Sequence, residues 1–134
     1  FAVQIIELTK TLRMRKEFIM ANQIGRSGTS IGANIREAHY AQSRDDFVSK
    51  LEIALKEANE TDYWLELLFR TGYLPDQQFR QLRAQCAELR VLLIASCRSR
   101  IADRTLNVRQ HTSFCAQRKH HCAATSFLRS RNIM

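Results

Sequence analysis

Residues 26–38 read RSGTSIGANIREA, and the reading of this stretch decides the fold. Gly28 and Gly32 lie inside it and Gly25 just ahead of it, although a glycine within a helix costs about 1 kcal/mol relative to alanine. Small or apolar residues still recur at Ile24, Gly28, Ile31, Ile35 and Ala38, in steps of four, three, four and three. That spacing places side chains on one helical face. A helix that gives up propensity on its contact face does so to let another element approach closely. The stretch therefore reads as the tightly packed inner helix of a bundle, with its glycines at the contacts.

The same period recurs on either side. Phe1, Ile5, Leu8 and Leu12 form a seam that predicts a first helix from Phe1 to about Leu12, and the glycine-bearing helix covers about Phe18 to Tyr40. Because the seam is already running at residue 1, the first helix reads as clipped upstream. Phe47, Leu51, Ala54, Ala58, Thr61, Leu65 and Leu68 alternate steps of four and three over three heptads, the clearest helix of the chain. Ser43 with Asp46 has capping-box spacing at its start, and Gly72 sits where a helix closes on a left-handed residue. Asp46 with Lys50, Glu52 with Lys56 and Glu66 with Arg70 are acid-then-base pairs one turn apart and mark its solvent side. Pro75 suits the first turn of a fourth helix, whose seam is Phe79, Leu82, Cys86, Leu89, Leu93 and Ser96, reaching about Ile101.

Four amphipathic segments with short links predict an all-α fold, an antiparallel up-and-down four-helix bundle over residues 1–102. From Asp103 to Met134 neither helical nor strand period persists, and Arg, Ser, Thr, His and Cys dominate. This segment reads as a poorly ordered basic tail, because it holds too little apolar area to offset its chain entropy.

Composition narrows the function. A chain of 134 residues is one domain's worth, and a single proline with four glycines is thin in turn formers for a β-sandwich. No apolar run approaches the roughly 18–20 residues that span a bilayer, and no secretory signal opens the chain. Four cysteines without an export signal read as reduced thiols. The net charge of +8 divides into +3 over residues 1–102 and +5 over residues 103–134. The basic excess thus belongs mostly to the tail and does not by itself define a nucleic-acid surface.

Two long patterns carry a resemblance over roughly residues 1–101. One is R-x-G-x-S-I-x-x-N-I-x-E-A, here Arg26, Gly28, Ser30, Ile31, Asn34, Ile35, Glu37 and Ala38; the other, beginning at Phe47, reads FVSKLEIALKEANETDYWL. The chain resembles the four-helix bundle proteins first noticed as reading frames within intervening sequences of bacterial 23S rRNA genes. The resemblance implies a bacterial cytoplasmic bundle that assembles as a homo-oligomer, commonly a pentamer. It also implies kinship with the accessory variability proteins of diversity-generating retroelements, which associate with a reverse transcriptase and bind nucleic acid through basic surfaces. For the rRNA-associated branch it implies no established catalytic activity. Its signature positions here are Gly28, Ser30, Asn34, Glu37, Glu57, Glu60 and Trp64, and Arg36 stands where the family commonly has a small residue. The tail lies outside the resemblance, and its composition suits a frameshifted extension as well as a selected segment.

The remaining chemistry-bearing residues divide by spacing. Glu52, Glu57, Glu60, Asp62 and Glu66 invite comparison with a dimetal bundle, but that site needs Glu-x-x-His on two helices, and His39 is preceded by an acid two residues back, Glu37. Cys86 lies on a seam and reads as a small core residue. The tail's His111, Cys115, His120, His121 and Cys122 match no zinc-finger spacing. Neither a phosphate-binding glycine loop nor a nucleophile elbow is present. The expectation is therefore a non-enzyme with no metal, cofactor or small-molecule substrate. Asn34 and Glu37 read as polar residues that tie neighbouring helices and fix register, and Tyr63 and Trp64 fit a core or a subunit interface equally.

What is left is basic. Arg13, Arg15, Lys16, Arg26 and Arg36, with Arg80, Arg83 and Arg90 on the fourth helix, are the candidate nucleic-acid-binding residues, and the seven-residue spacing of Arg83 and Arg90 suggests a stripe. Repeated around a ring, such a stripe becomes a belt whose binding is multivalent and steeply salt dependent. The sequence thus points to an oligomeric RNA-associated binding module, with a self-assembling scaffold that binds no nucleic acid as the alternative.

Overall fold

The computed structural model describes residues 1–99, which contain four helices. They are α1 (Ala2–Met14), α2 (Phe18–His39), α3 (Arg44–Arg70) and α4 (residues 76–99). The expected tail and the predicted end of the last helix at Ile101 lie outside the described residues. The helices run up and down. α2 packs on α1 and on α3, α4 meets α3 through Cys86 against the Ala58 carbonyl and Phe79 stacked on Phe69 at 4.3 Å, and α4 faces α1 across a groove between Gln4 and Gln81.

The core follows the seams the sequence predicts, except at Ile35 of α2, which is exposed. Ile5, Leu8 and Leu12 of α1, Ile24, Ile31 and Ala38 of α2, Leu51, Ala54, Ala58, Leu65 and Leu68 of α3, and Phe79, Leu82, Cys86 and Leu93 of α4 are all buried. The seam of α4 ends on Cys97, which is buried, and Ser96 is exposed with its hydroxyl returned to the Leu92 carbonyl. A polar contact crosses this core. The buried hydroxyls of Ser27 and Thr61 hydrogen-bond at 3.0 Å and join α2 to α3.

The helix ends follow local chemistry. Ser43 Oγ accepts from the Asp46 amide at 3.1 Å, and Asp46 answers by accepting from the Gln42 amide, one residue earlier than a full capping box requires. At the far end Gly72 has φ +76, its amide donates to the Phe69 carbonyl and the Tyr73 amide to the Leu68 carbonyl, which is a Schellman closure. α1 closes the same way on Lys16 (φ +64), with Lys16 donating to Arg13 and Glu17 to Leu12. There a lysine occupies the position that glycine would fill without strain. Pro75 stands just ahead of α4, its carbonyl accepting from the Phe79 amide.

The three glycines of α2 do not share one role. A Cβ on Gly28 would lie 2.8 Å from Ile5 Cγ2, and one on Gly25 3.0 Å from Thr9 Cγ2, so α1 and α2 approach closely there. Gly32 has nothing within 4 Å of the corresponding point, which corrects the expectation that all three mark contacts. It lies on the exposed side of α2, one residue beyond the seam position Ile31. The expected pairing of Asp46 with Lys50 also differs: Asp46 is turned back to cap α3, and Lys50 Nζ reaches across to Glu37 at 2.6 Å.

Candidate functional site

The basic candidates fall into two groups that differ in what they face. On α4, Arg83 lies 3.4 Å from Asp62 and 3.7 Å from Glu66, with its guanidinium 5.4 Å from the Phe79 ring centroid; Arg90 lies 3.5 Å from the same Asp62. Arg80 pairs with Asp76 one turn back at 2.9 Å. The two arginines do share a face, yet it is the face turned to the acids of α3. The expected stripe is an interhelical ion-pair network, so most of its charge is compensated before any partner arrives.

The candidates on α1 and α2 are placed otherwise. Arg13 donates to the neutral Asn22 Oδ1 at 2.6 Å, and Arg15 to the Tyr73 carbonyl at 3.4 Å. Lys16 is exposed and takes part in no ion pair among the described residues, and the same holds for Arg36. Arg26 pairs with Glu60 at 2.9 Å while remaining largely exposed. Beside this turn the Tyr73 hydroxyl donates to Glu17, which holds the phenol above its usual range.

Arg13 and Arg26 open on one groove. It lies along the α1–α2 contact, has a volume of about 250 Å³ and is bordered by Ile6, Thr9, Asn22, Gly25 and Thr29. Gly25 keeps its floor low, since a side chain there would meet Thr9. The hydroxyls of Thr9 and Thr29 are returned to carbonyls of their own helices, leaving the two guanidinium groups and the Asn22 amide as its polar features. The α1–α4 groove, of about 270 Å³, is lined by Gln4, Glu7, Gln78 and Gln81 and has no cation.

Of the signature residues, Gly28, Glu37 and Glu60 make contacts between helices. Gly28 admits Ile5, and Ser30 accepts through its carbonyl from Asn34 Nδ2 at 2.9 Å. Asn34 thus bonds within its own helix and not, as expected, to a neighbouring one, whereas Glu37 does reach α3, through Lys50. Glu60 accepts from both Arg26 and the Trp64 indole, which makes Trp64 a half-buried brace beside an exposed Tyr63. Glu57 Oε2 is buried without a hydrogen-bond partner among the described residues.

No cluster of three or more His, Cys, Asp or Glu side chains suited to a metal occurs among the described residues. Cys86 is buried, and desolvation pushes its thiol up to about 11. Burial likewise raises Cys97. No described helix is long and apolar enough to cross a membrane.

Sequence reasoning overlooked Phe18 and Asn22. Their spacing with Arg26, four residues at each step, is a visible signal of a shared helical face. What the sequence lacks is the knowledge that this face borders α1 at Arg13.

Comparison with known proteins agrees with the architecture. A solved structure from Bacteroides thetaiotaomicron, described as a protein with unknown function from the S23 ribosomal protein family, is 58% identical. The match covers 72% of this chain and 91% of that one, with a TM-score of 0.71. Among curated proteins none matches. The family model described as 23S rRNA-intervening sequence protein matches residues 1–95, nearly the whole described bundle, and the chain belongs to that family.

Proposed function

We propose that this protein is a non-enzymatic, self-associating bundle of the cytoplasm that binds RNA electrostatically through its α1–α2 face. One observation carries the reading: Arg13 and Arg26, distant in sequence, border a single groove, with Arg15 and Lys16 at the turn beyond its Arg13 end. Arg13, Arg15 and Lys16 have no carboxylate partner among the described residues, so their charge remains available to phosphates, whereas Arg26 is paired with Glu60 and contributes as the 62%-exposed member of that pair. Family membership supports an RNA context without specifying a ligand. A ring of copies, a pentamer in our reading, would repeat the groove and multiply its affinity. An RNA–protein partner such as a reverse transcriptase fits the same surface chemistry.

The test is RNA binding by the full chain, titrated with salt, beside Arg13→Gln with Arg26→Gln and, separately, Arg83→Gln with Arg90→Gln. The first pair is expected to lower the salt slope by about one for each phosphate no longer neutralised, and the second to leave it nearly unchanged. A larger effect of the second pair would return the site to α4, equal effects would mean that no one face is the site, and binding indifferent to salt would end the reading.

A second reading, a self-assembling scaffold without RNA, is favoured by the exposed Val91 and Leu92 on α4 and Tyr63 on α3. Light scattering separates the two, because a scaffold retains its assembled mass and has no affinity for RNA.

A further inference from the structure

We infer that the α1–α2 groove and its closing turn select single-stranded over duplex RNA, with Phe18 stacking on an unpaired base and Arg13 and Arg26 holding neighbouring phosphates. The inference rests on the RNA-binding reading above and specifies its ligand.

Phe18 is the first residue of α2 and is 55% exposed. Asn22 and Arg26 follow at one-turn intervals, so the three form a stripe about 12 Å long on α2. Arg13 comes from the other helix, and its bond to Asn22 Oδ1 at 2.6 Å sets the guanidinium one turn from Phe18. The acceptor is a neutral amide, so the bond positions the cation without cancelling it. Phe18 lies just outside the groove, on the α2 face that leads through Asn22 to Arg26, which is paired with Glu60 yet 62% exposed. An exposed ring at the end of a shallow channel bordered by guanidinium groups is a combination that suits single strands: the ring takes a base face, and the cations track the backbone. A duplex keeps its base faces stacked internally and leaves Phe18 without a ligand. Ile19, next to Phe18 in α2, and Met14, at the end of α1, are also exposed, at 76% and 77%.

The same tip has features of an anionic membrane contact, namely three apolar side chains near Arg13, Arg15 and Lys16. Its geometry favours the nucleic acid. Helices that lie on bilayers present a long apolar flank, whereas α2 offers only its first turn here, and Glu17, the residue just before it, is acidic.

The experiment uses the full chain and fluorescence anisotropy with a labelled unstructured RNA and a hairpin duplex of equal length, over a salt series. The native protein is expected to prefer the unstructured strand. Phe18→Ala should weaken that affinity about 5- to 150-fold, the range for removing the stacking of one base, with the salt slope and duplex affinity unchanged; Phe18→Tyr should retain it. Arg13→Gln should instead reduce the slope. Helical content by circular dichroism verifies that each variant is folded. If Phe18→Ala binds both RNAs as the native chain does while Arg13→Gln weakens both, strand selection is overturned and the RNA reading stands. If neither RNA binds in a salt-dependent way, both readings fall. A Phe18→Ala protein of smaller assembled mass would assign the ring to a contact between copies. Phe18-dependent sedimentation with phosphatidylserine vesicles, without strand preference, would assign it to a membrane; either result overturns the inference.

Discussion

Replacing Gly28 and Gly32 by alanine separately should give opposite results, although both lie in α2 on the same short stretch of sequence. Each substitution removes the conformational disadvantage of glycine in a helix, a gain of about 1 kcal/mol. At Gly32 nothing lies within 4 Å of the new methyl group, so the gain is realised in full. At Gly28 the methyl would stand 2.8 Å from Ile5 Cγ2 and 2.9 Å from Ile5 Cγ1. Ile5 is fully buried and branched at Cβ, so it cannot swing away as an exposed flexible side chain would. Relief requires α1 to move off α2, which is overpacking, with a penalty of about 1–3 kcal/mol. Because the propensity gain is common to both variants, the difference between them isolates that penalty. Gly32→Ala should exceed Gly28→Ala in stability by about 1–3 kcal/mol, and about 4–8 °C of Tm accompanies each kcal/mol in a domain of this size. Urea unfolding followed by circular dichroism at fixed protein concentration gives the comparison, since self-association shifts apparent stability. A double cycle with Ile5→Ala localises the effect, because Gly28→Ala should be relieved of its penalty once Ile5 is truncated. If Gly28→Ala stabilises as much as Gly32→Ala, close approach at Gly28 is not what the glycine serves, and the packing account of α2 is wrong.

Three other outcomes are expected. Lys16→Gly relieves a left-handed lysine at the end of α1 and should raise stability in urea by about 1 kcal/mol, while weakening RNA binding by removing a charge. Ser27→Ala breaks the buried hydroxyl contact with Thr61, but Thr61 keeps the Glu57 carbonyl at 2.8 Å; the loss should be about 0.5–1.5 kcal/mol, and a loss several times larger would mean that the contact anchors a wider network. Cys86, its thiol raised by burial from the ordinary 9.0 to about 11, should resist iodoacetamide at pH 8 in the native protein and react in urea, as read by mass spectrometry. Folding retains the proton on this thiol, so its contribution to stability is complete below pH 9 and declines as pH rises through about 11; rapid native labelling would refute its burial.

The sequence by itself determined the four helices, their seams and most of their ends. These depend on local rules: residues one turn apart share a face, Ser43 supplies an acceptor to the Asp46 amide, and Gly72 adopts φ +76 at little cost. Local rules also foretold that Glu66 and Arg70 would pair, as they do. They were misleading where a side chain had a choice of neighbours. Lys50 lies one turn from Asp46 but bonds Glu37 of α2, because the Asp46 carboxylate is turned back to accept from the Gln42 amide ahead of α3. Arg83 and Arg90 share a face, as their spacing required, and only the packing of α4 on α3 decided that this face meets Asp62 and Glu66. The groove bordered by Arg13 and Arg26 has no local signature at all, for its walls belong to two helices and its depth to the missing side chain of Gly25. Periodicity determines which residues are buried within each helix. Which charges are left uncompensated depends on what the neighbouring helix presents, and that is a property of the tertiary structure alone.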